Sequence, residues 1–139
     1  MKKIILVIFS PLFLFGCDSG GGNDNNPYIP NYTFTVDINV NLPSYSNLQF
    51  PSNAVYIPQG TAGARGVIVF NSGSGYLAYD AACPNQPISG CSTMIISGIN
   101  AICPCDDEQY SLFTGLSSLQ YPMKRYRVEV NLPNIRVYN

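Results

Sequence analysis

The sequence has no histidine and no tryptophan in 139 residues, and only 11% of its residues are charged. Without an imidazole there can be no Ser-His-Asp or Cys-His arrangement, no zinc site with nitrogen ligands and no general base that titrates near neutral pH. Sparse charge excludes another class. Seven basic residues against eight acidic ones give a formal net charge of −1, too little positive field to make nucleic acid a partner. Long apolar runs are also missing, because the hydrophobic stretch at residues 4–15 is too short to cross a bilayer as a helix. No segment sustains a helical period. The chain is therefore read as a non-enzyme with little α-helix.

What is there begins with an address. Lys2 and Lys3 followed by the apolar stretch have the layout of a secretory signal, taken as residues 1–16. The signal closes on Leu14-Phe15-Gly16-Cys17, which resembles a bacterial lipobox. That resemblance implies cleavage before Cys17 and acylation of its thiol, and two or three acyl chains hold a protein firmly where one is marginal. Residues 18–26, DSGGGNDNN, contain only Gly, Ser, Asn and Asp and cannot bury a core, so residues 17–26 are read as a lipidated flexible tether. The expected location is the bacterial cell envelope, with the membrane as a partner through Cys17 and the choice of inner or outer membrane open. Loss of Lys2 and Lys3 with the signal leaves five basic residues against eight acidic ones.

Residues 27–139 fit one small all-β domain. Runs of strand character fall at residues 33–40, 54–57, 66–70, 76–79, 94–96, 110–113, 126–130 and 135–138, punctuated by Gly, Pro, Asn and Ser clusters. Asn71-Ser72-Gly73-Ser74-Gly75 marks a hairpin, and Asn131-Leu132-Pro133-Asn134 joins the last two strands. Lys124, Arg125 and Arg127 are expected on the exposed face of a strand. Asp106-Asp107-Glu108 is expected to be a solvated loop, since the flanking ligands of a calcium loop are absent.

The cysteines carry the remaining information. With Cys17 acylated, Cys83, Cys91, Cys103 and Cys105 form an even set in an exported domain, so two disulfides are expected. A Cys103–Cys105 bond across one intervening proline would be strained, which leaves two connectivities open.

Two boxes, Cys83-Pro84-Asn85 and Cys103-Pro104-Cys105-Asp106, resemble those of Rieske iron–sulfur domains, in which C-x-H and C-P-C-H supply two Cys and two His ligands to one [2Fe–2S] cluster. The downstream Tyr110-Ser111, Gly115, Pro122-Met123 and the closing hairpin at residues 126–137 fall in the family's order. The resemblance implies a small Rieske-like antiparallel β-sandwich or barrel with a loop-rich cluster-binding subdomain. It departs from the family at both histidines, where Asn85 and Asp106 stand. It also implies the pairing Cys91–Cys105, where the family's cytochrome-complex members carry a disulfide, and Cys83–Cys103, where two thiolates would otherwise share an iron.

Three functions follow. The leading one is a cluster-free, disulfide-stapled module that supports an envelope assembly or binds an envelope or redox partner through its former cluster-tip loops, residues 84–90 and 105–109. An alternative is an electron carrier whose [2Fe–2S] cluster is held by Cys83, Cys103, Asp106 and either Asn85 or an outside ligand. A thiol–disulfide function at Cys83–Cys103 comes last, since no C-x-x-C motif and no neighbouring His or Lys is present to lower a thiol pKa.

Overall fold

The computed structural model describes residues 25–60 and 62–139. The proposed signal and Cys17 lie outside them. Nine strands run in chain order: β1 (Thr35–Asn39), β2 (Ala54–Ile57), β3 (Val67–Asn71), β4 (Tyr76–Asp80), β5 (Ile95–Ser97), β6 (Asn100–Ile102), β7 (Gln109–Ser111), β8 (Arg125–Asn131) and β9 (Asn134–Tyr138). They form a six-stranded sheet in the order β1-β9-β8-β4-β3-β2 and a three-stranded sheet β5-β6-β7, and every ladder is antiparallel. The expected all-β fold is what forms. One helical turn, a 3-10 helix at Ser46–Gln49, had no counterpart in the sequence reading; it plugs Leu48 into the core.

β3 explains how one small chain supports two cores. All five of its residues are buried, and alternate side chains leave opposite faces. Val67 and Val69 join Ile38, Ala78, Tyr126, Ile135 and Val137 in the core of the large sheet. Ile68 and Phe70 point the other way, to a second core with Tyr79, Met94, Tyr110, Leu112 and the sulfurs of Cys83 and Cys103. A strand buried on both faces reads as a continuous apolar run, which is why VIVF shows no polar alternation.

The two cysteine boxes occupy the loops that leave these sheets. The first follows β4 and reaches β5; the second connects β6 to β7. Both therefore sit at the end of the small sheet, over the second core.

Lys124 corrects the expectation of an exposed basic strand face. Arg125 and Arg127 are exposed, but Lys124 is only 3% exposed and donates a hydrogen bond from Nζ to Asn31 Oδ1. It lies where β8 begins, and its carbonyl accepts from Asp80 N at 2.8 Å, so the chain is drawn inward there.

Candidate functional site

The first box is anchored by a buried acid that immediately follows the apolar run of β4. Asp80 has no exposed surface, and its carboxylate accepts from Ala64 N (2.6 Å), Arg65 N (3.3 Å), Ala82 N (2.7 Å) and the hydroxyl of Tyr126 (2.6 Å). Four donors make burial of such a group tolerable. The loop between β2 and β3 can approach because Gly63, at φ +69°, has no side chain; a Cβ there would lie 2.8 Å from Asp80 Oδ2. Sequence reasoning missed Asp80. A lone acid inside Tyr-Leu-Ala-Tyr-Asp-Ala-Ala-Cys was the signal available.

From Asp80 the chain passes through Ala81 and Ala82 to Cys83, pinned to the start of the small sheet by Met94 N to Ala81 O (2.7 Å) and Cys83 N to Ser92 O (2.8 Å). In the second box, Cys103 N donates to Glu108 O at 2.9 Å, and Asp107 turns the chain at φ +59°. The two loops are cross-linked twice. Cys83 is bonded to Cys103 with Cα atoms 5.6 Å apart, and Cys91 is bonded to Cys105 with Cα atoms 5.2 Å apart. Arg65 adds a polar strut, donating from Nη2 to Ser89 O at 2.6 Å.

Asn85 and Asp106, the residues standing where the resemblance expects imidazoles, are engaged in other contacts. Asn85 is used up in a loop clamp: its Nδ2 donates to Tyr121 O (2.7 Å) and Tyr110 Oη (2.9 Å), and its Oδ1 accepts from Tyr121 N (2.8 Å). A side-chain amide that matches a backbone N–H and C=O in this way fixes the loop. Asp106 is exposed, and its Oδ1 accepts from Glu108 N at 3.1 Å. Among the described residues, the metal-type donors that gather are the sulfurs of Cys83, Cys103 and Cys105, all within 4.8 Å of one another. These sulfurs are spent in disulfides. As arranged, the donor set does not fit a [2Fe–2S] cluster: two thiolates are missing, one candidate ligand is hydrogen-bonded elsewhere, and the other faces solvent.

The N-terminal segment closes over the first box, which shortens the expected tether. Asn26 donates from Nδ2 to Pro84 O at 2.8 Å and caps the turn after it, accepting from Tyr28 N and Ile29 N. Tyr28 stands edge-on to Tyr121, the residue held by Asn85, with ring centroids 6.0 Å apart. Asn26 thus belongs to the domain.

Electrostatics at the site are governed by burial and a few hydrogen bonds. Burial pushes the Tyr110 phenol up, partly offset by the bond from Asn85. Glu108, at the base of the second loop, is held below the ordinary carboxylate range by Ser118, whose Oγ and N donate to it at 2.6 and 2.9 Å.

No protein-family model matches the sequence, and no curated protein matches it significantly. Solved structures do match its shape. One is a chain of the complex of reduced oxygenase and oxidised ferredoxin in carbazole 1,9a-dioxygenase, at TM-score 0.50 and 16% identity, covering 77% of this chain and 94% of that one. Another is the apo form of a quaternary ammonium Rieske monooxygenase, at TM-score 0.51 and 12% identity, covering 82% of this chain and 34% of the enzyme. The chain spans about a third of that monooxygenase. At such identities the likeness shows the fold, and the fold is Rieske-like.

Proposed function

We propose that this is a lipid-anchored envelope protein whose Rieske-like domain carries no iron–sulfur cluster and binds a partner through its two tip loops, residues 84–90 and 105–109. The observation that carries the reading is the bond between Cys83 and Cys103. It joins the two sulfurs that would otherwise share an iron, and it does the cluster's mechanical work of tying the loops together. Asn85, clamped on Tyr121, and Arg65, strutted to Ser89, support the same conclusion: the tip is braced by the protein's own groups. A braced tip presents a defined surface, which lowers the ordering cost of docking. A redox or envelope protein is the expected partner, in keeping with a structural neighbour solved as an oxygenase–ferredoxin complex.

The competing reading is a [2Fe–2S] carrier held by Cys83, Cys103, Asp106 and either Asn85 or an outside ligand. It requires a broken Cys83–Cys103 disulfide and, where Asn85 serves, its release from Tyr121 and Tyr110.

Two experiments test the proposal. Cys17→Ser should move the protein from the membrane to the soluble fraction, and retention of the variant in the membrane would contradict the anchor. A photo-crosslinking residue at Gln86 or Asp107 in cells should capture a discrete partner that the same residue at Leu132, in the β8–β9 turn, does not capture. Equal capture at both ends would contradict docking through the tip.

A further inference from the structure

The two disulfides differ in access but share a neighbourhood. Cys83 is 1% exposed and Cys103 is not exposed, so no solution thiol reaches them in the folded chain. Cys91 is exposed and Cys105 half-buried. Cys105 Sγ nevertheless lies within 4.8 Å of both buried sulfurs. Gln86 Nε2 donates to Cys103 Sγ at 2.8 Å, a bond that strengthens when the sulfur becomes an anion.

We propose that the tip is a disulfide relay in which Cys105 carries exchange from the exposed Cys91–Cys105 bond to the buried Cys83–Cys103 bond. This rests on the cluster-free reading above. The donor is a dithiol. One of its thiolates attacks Cys91 Sγ, the Cys91–Cys105 bond breaks, a mixed disulfide forms at Cys91, and Cys105 leaves as a thiolate. The donor's second thiolate then attacks its own sulfur in that mixed disulfide and frees Cys91 while the donor closes to a disulfide. Cys105 next attacks Cys83 Sγ, forming Cys83–Cys105 and expelling Cys103 as a thiolate. Attack on Cys103 instead would close a strained ring across Pro104. The leaving group is therefore the sulfur that Gln86 already bonds. Finally Cys91 attacks Cys105 Sγ, restoring Cys91–Cys105 and releasing Cys83. Two electrons and two protons from the dithiol end on Cys83 and Cys103, and the donor is left oxidised. Thiolate attack through such mixed disulfides needs an accessible first sulfur and a stabilised leaving one, and the tip supplies both.

The test is the disulfide map of the exported Cys91→Ser variant, acid-quenched and digested without reduction. The relay predicts that at least a tenth of the chains carry Cys83–Cys105 with Cys103 free; a map showing only Cys83–Cys103 overturns it. Adding Gln86→Leu should cut the Cys83–Cys105 share about fivefold, the factor expected for one lost hydrogen bond to the leaving sulfur. An unchanged share overturns that role for Gln86. Should Cys91→Ser fail to fold, reduction of Cys83–Cys103 by dithiothreitol is followed by differential alkylation in the natural chain and in Cys91→Ser/Cys105→Ser. A rate at least tenfold slower in the double variant supports the relay, and an equal or faster rate overturns it. Bound iron in the natural chain would overturn the cluster-free reading and the relay together, and four free thiols without iron would overturn the disulfide staple and the relay. Two intact disulfides without exchange would overturn the relay alone.

Discussion

Tyr126 donates its hydroxyl to Asp80 Oδ2 at 2.6 Å, joining β8 to the last residue of β4 inside a pocket closed to solvent. The contact fixes where β4 ends and the first box begins. A hydrogen bond to a charged group contributes about 1.5–3 kcal/mol, so Tyr126→Phe should lower unfolding free energy by about that amount. Asp80→Ala should cost about 3 kcal/mol or more, since it strands the amides of Ala64 and Ala82 as well. Urea denaturation measures both.

Tyr79, Tyr110 and Tyr126 all have phenols raised by burial, and Asp80 raises Tyr126 further. A raised pKa means that the folded chain holds its protons beyond the point where the unfolded chain loses them. Their contribution is therefore complete below the unfolded phenol value, near pH 10, and is lost as pH rises through the folded values. The melting temperature should fall steeply above about pH 10, with these tyrosines ionising as the chain unfolds. At the acid end the sign reverses for Glu108. Its lowered pKa stabilises above the ordinary carboxylate range and is lost as pH falls through the folded value. Glu108→Gln should flatten that acid limb.

Asn85 is predicted to act as a clamp. Asn85→Ala removes three hydrogen bonds and should destabilise the domain by about 1–3 kcal/mol while increasing amide exchange at Tyr121. Unchanged exchange at Tyr121 would contradict the clamp. Asn85→His combined with Asp106→His restores the imidazole positions, and under reducing conditions it should take up iron and sulfide where the natural chain does not.

Each disulfide should stabilise the domain by about 2–4 kcal/mol, because their loops have similar sequence separations of 20 and 14 residues. Replacement of Cys83 and Cys103 by alanine should cost more than replacement of Cys91 and Cys105, since both members of the first pair are buried in a core with Tyr79, Tyr110 and Leu112, whereas Cys105 is only partly buried against it and Cys91 is exposed. Thermal melts of the two double variants rank them.

The sequence exposed what depends on local pattern. The β2, β3, β4 and β9 runs were visible because alternating or continuous apolar residues ended at Gly, Pro and Asn clusters, and the boxes were visible because their cysteines and prolines keep a spacing. What stayed hidden depends on distant partners. Lys124 looked like a surface base until Asn31 was brought to it by the packing of the N-terminal segment. Asn26 looked like the end of a Gly-rich tether, but its partner, Pro84, lies 58 residues away. The polar character of Asn85 suggested a weak ligand, and only the fold places Tyr121 where the amide can grip it.

The most direct measurement of the central claim is the visible absorption spectrum, with iron and thiol counts, of residues 18–139 made and purified without oxygen in a host that assembles iron–sulfur clusters. The account predicts a colourless protein without iron, whose four thiols close to two disulfides once oxidised glutathione is supplied. A brown protein whose charge-transfer bands bleach on reduction would contradict it.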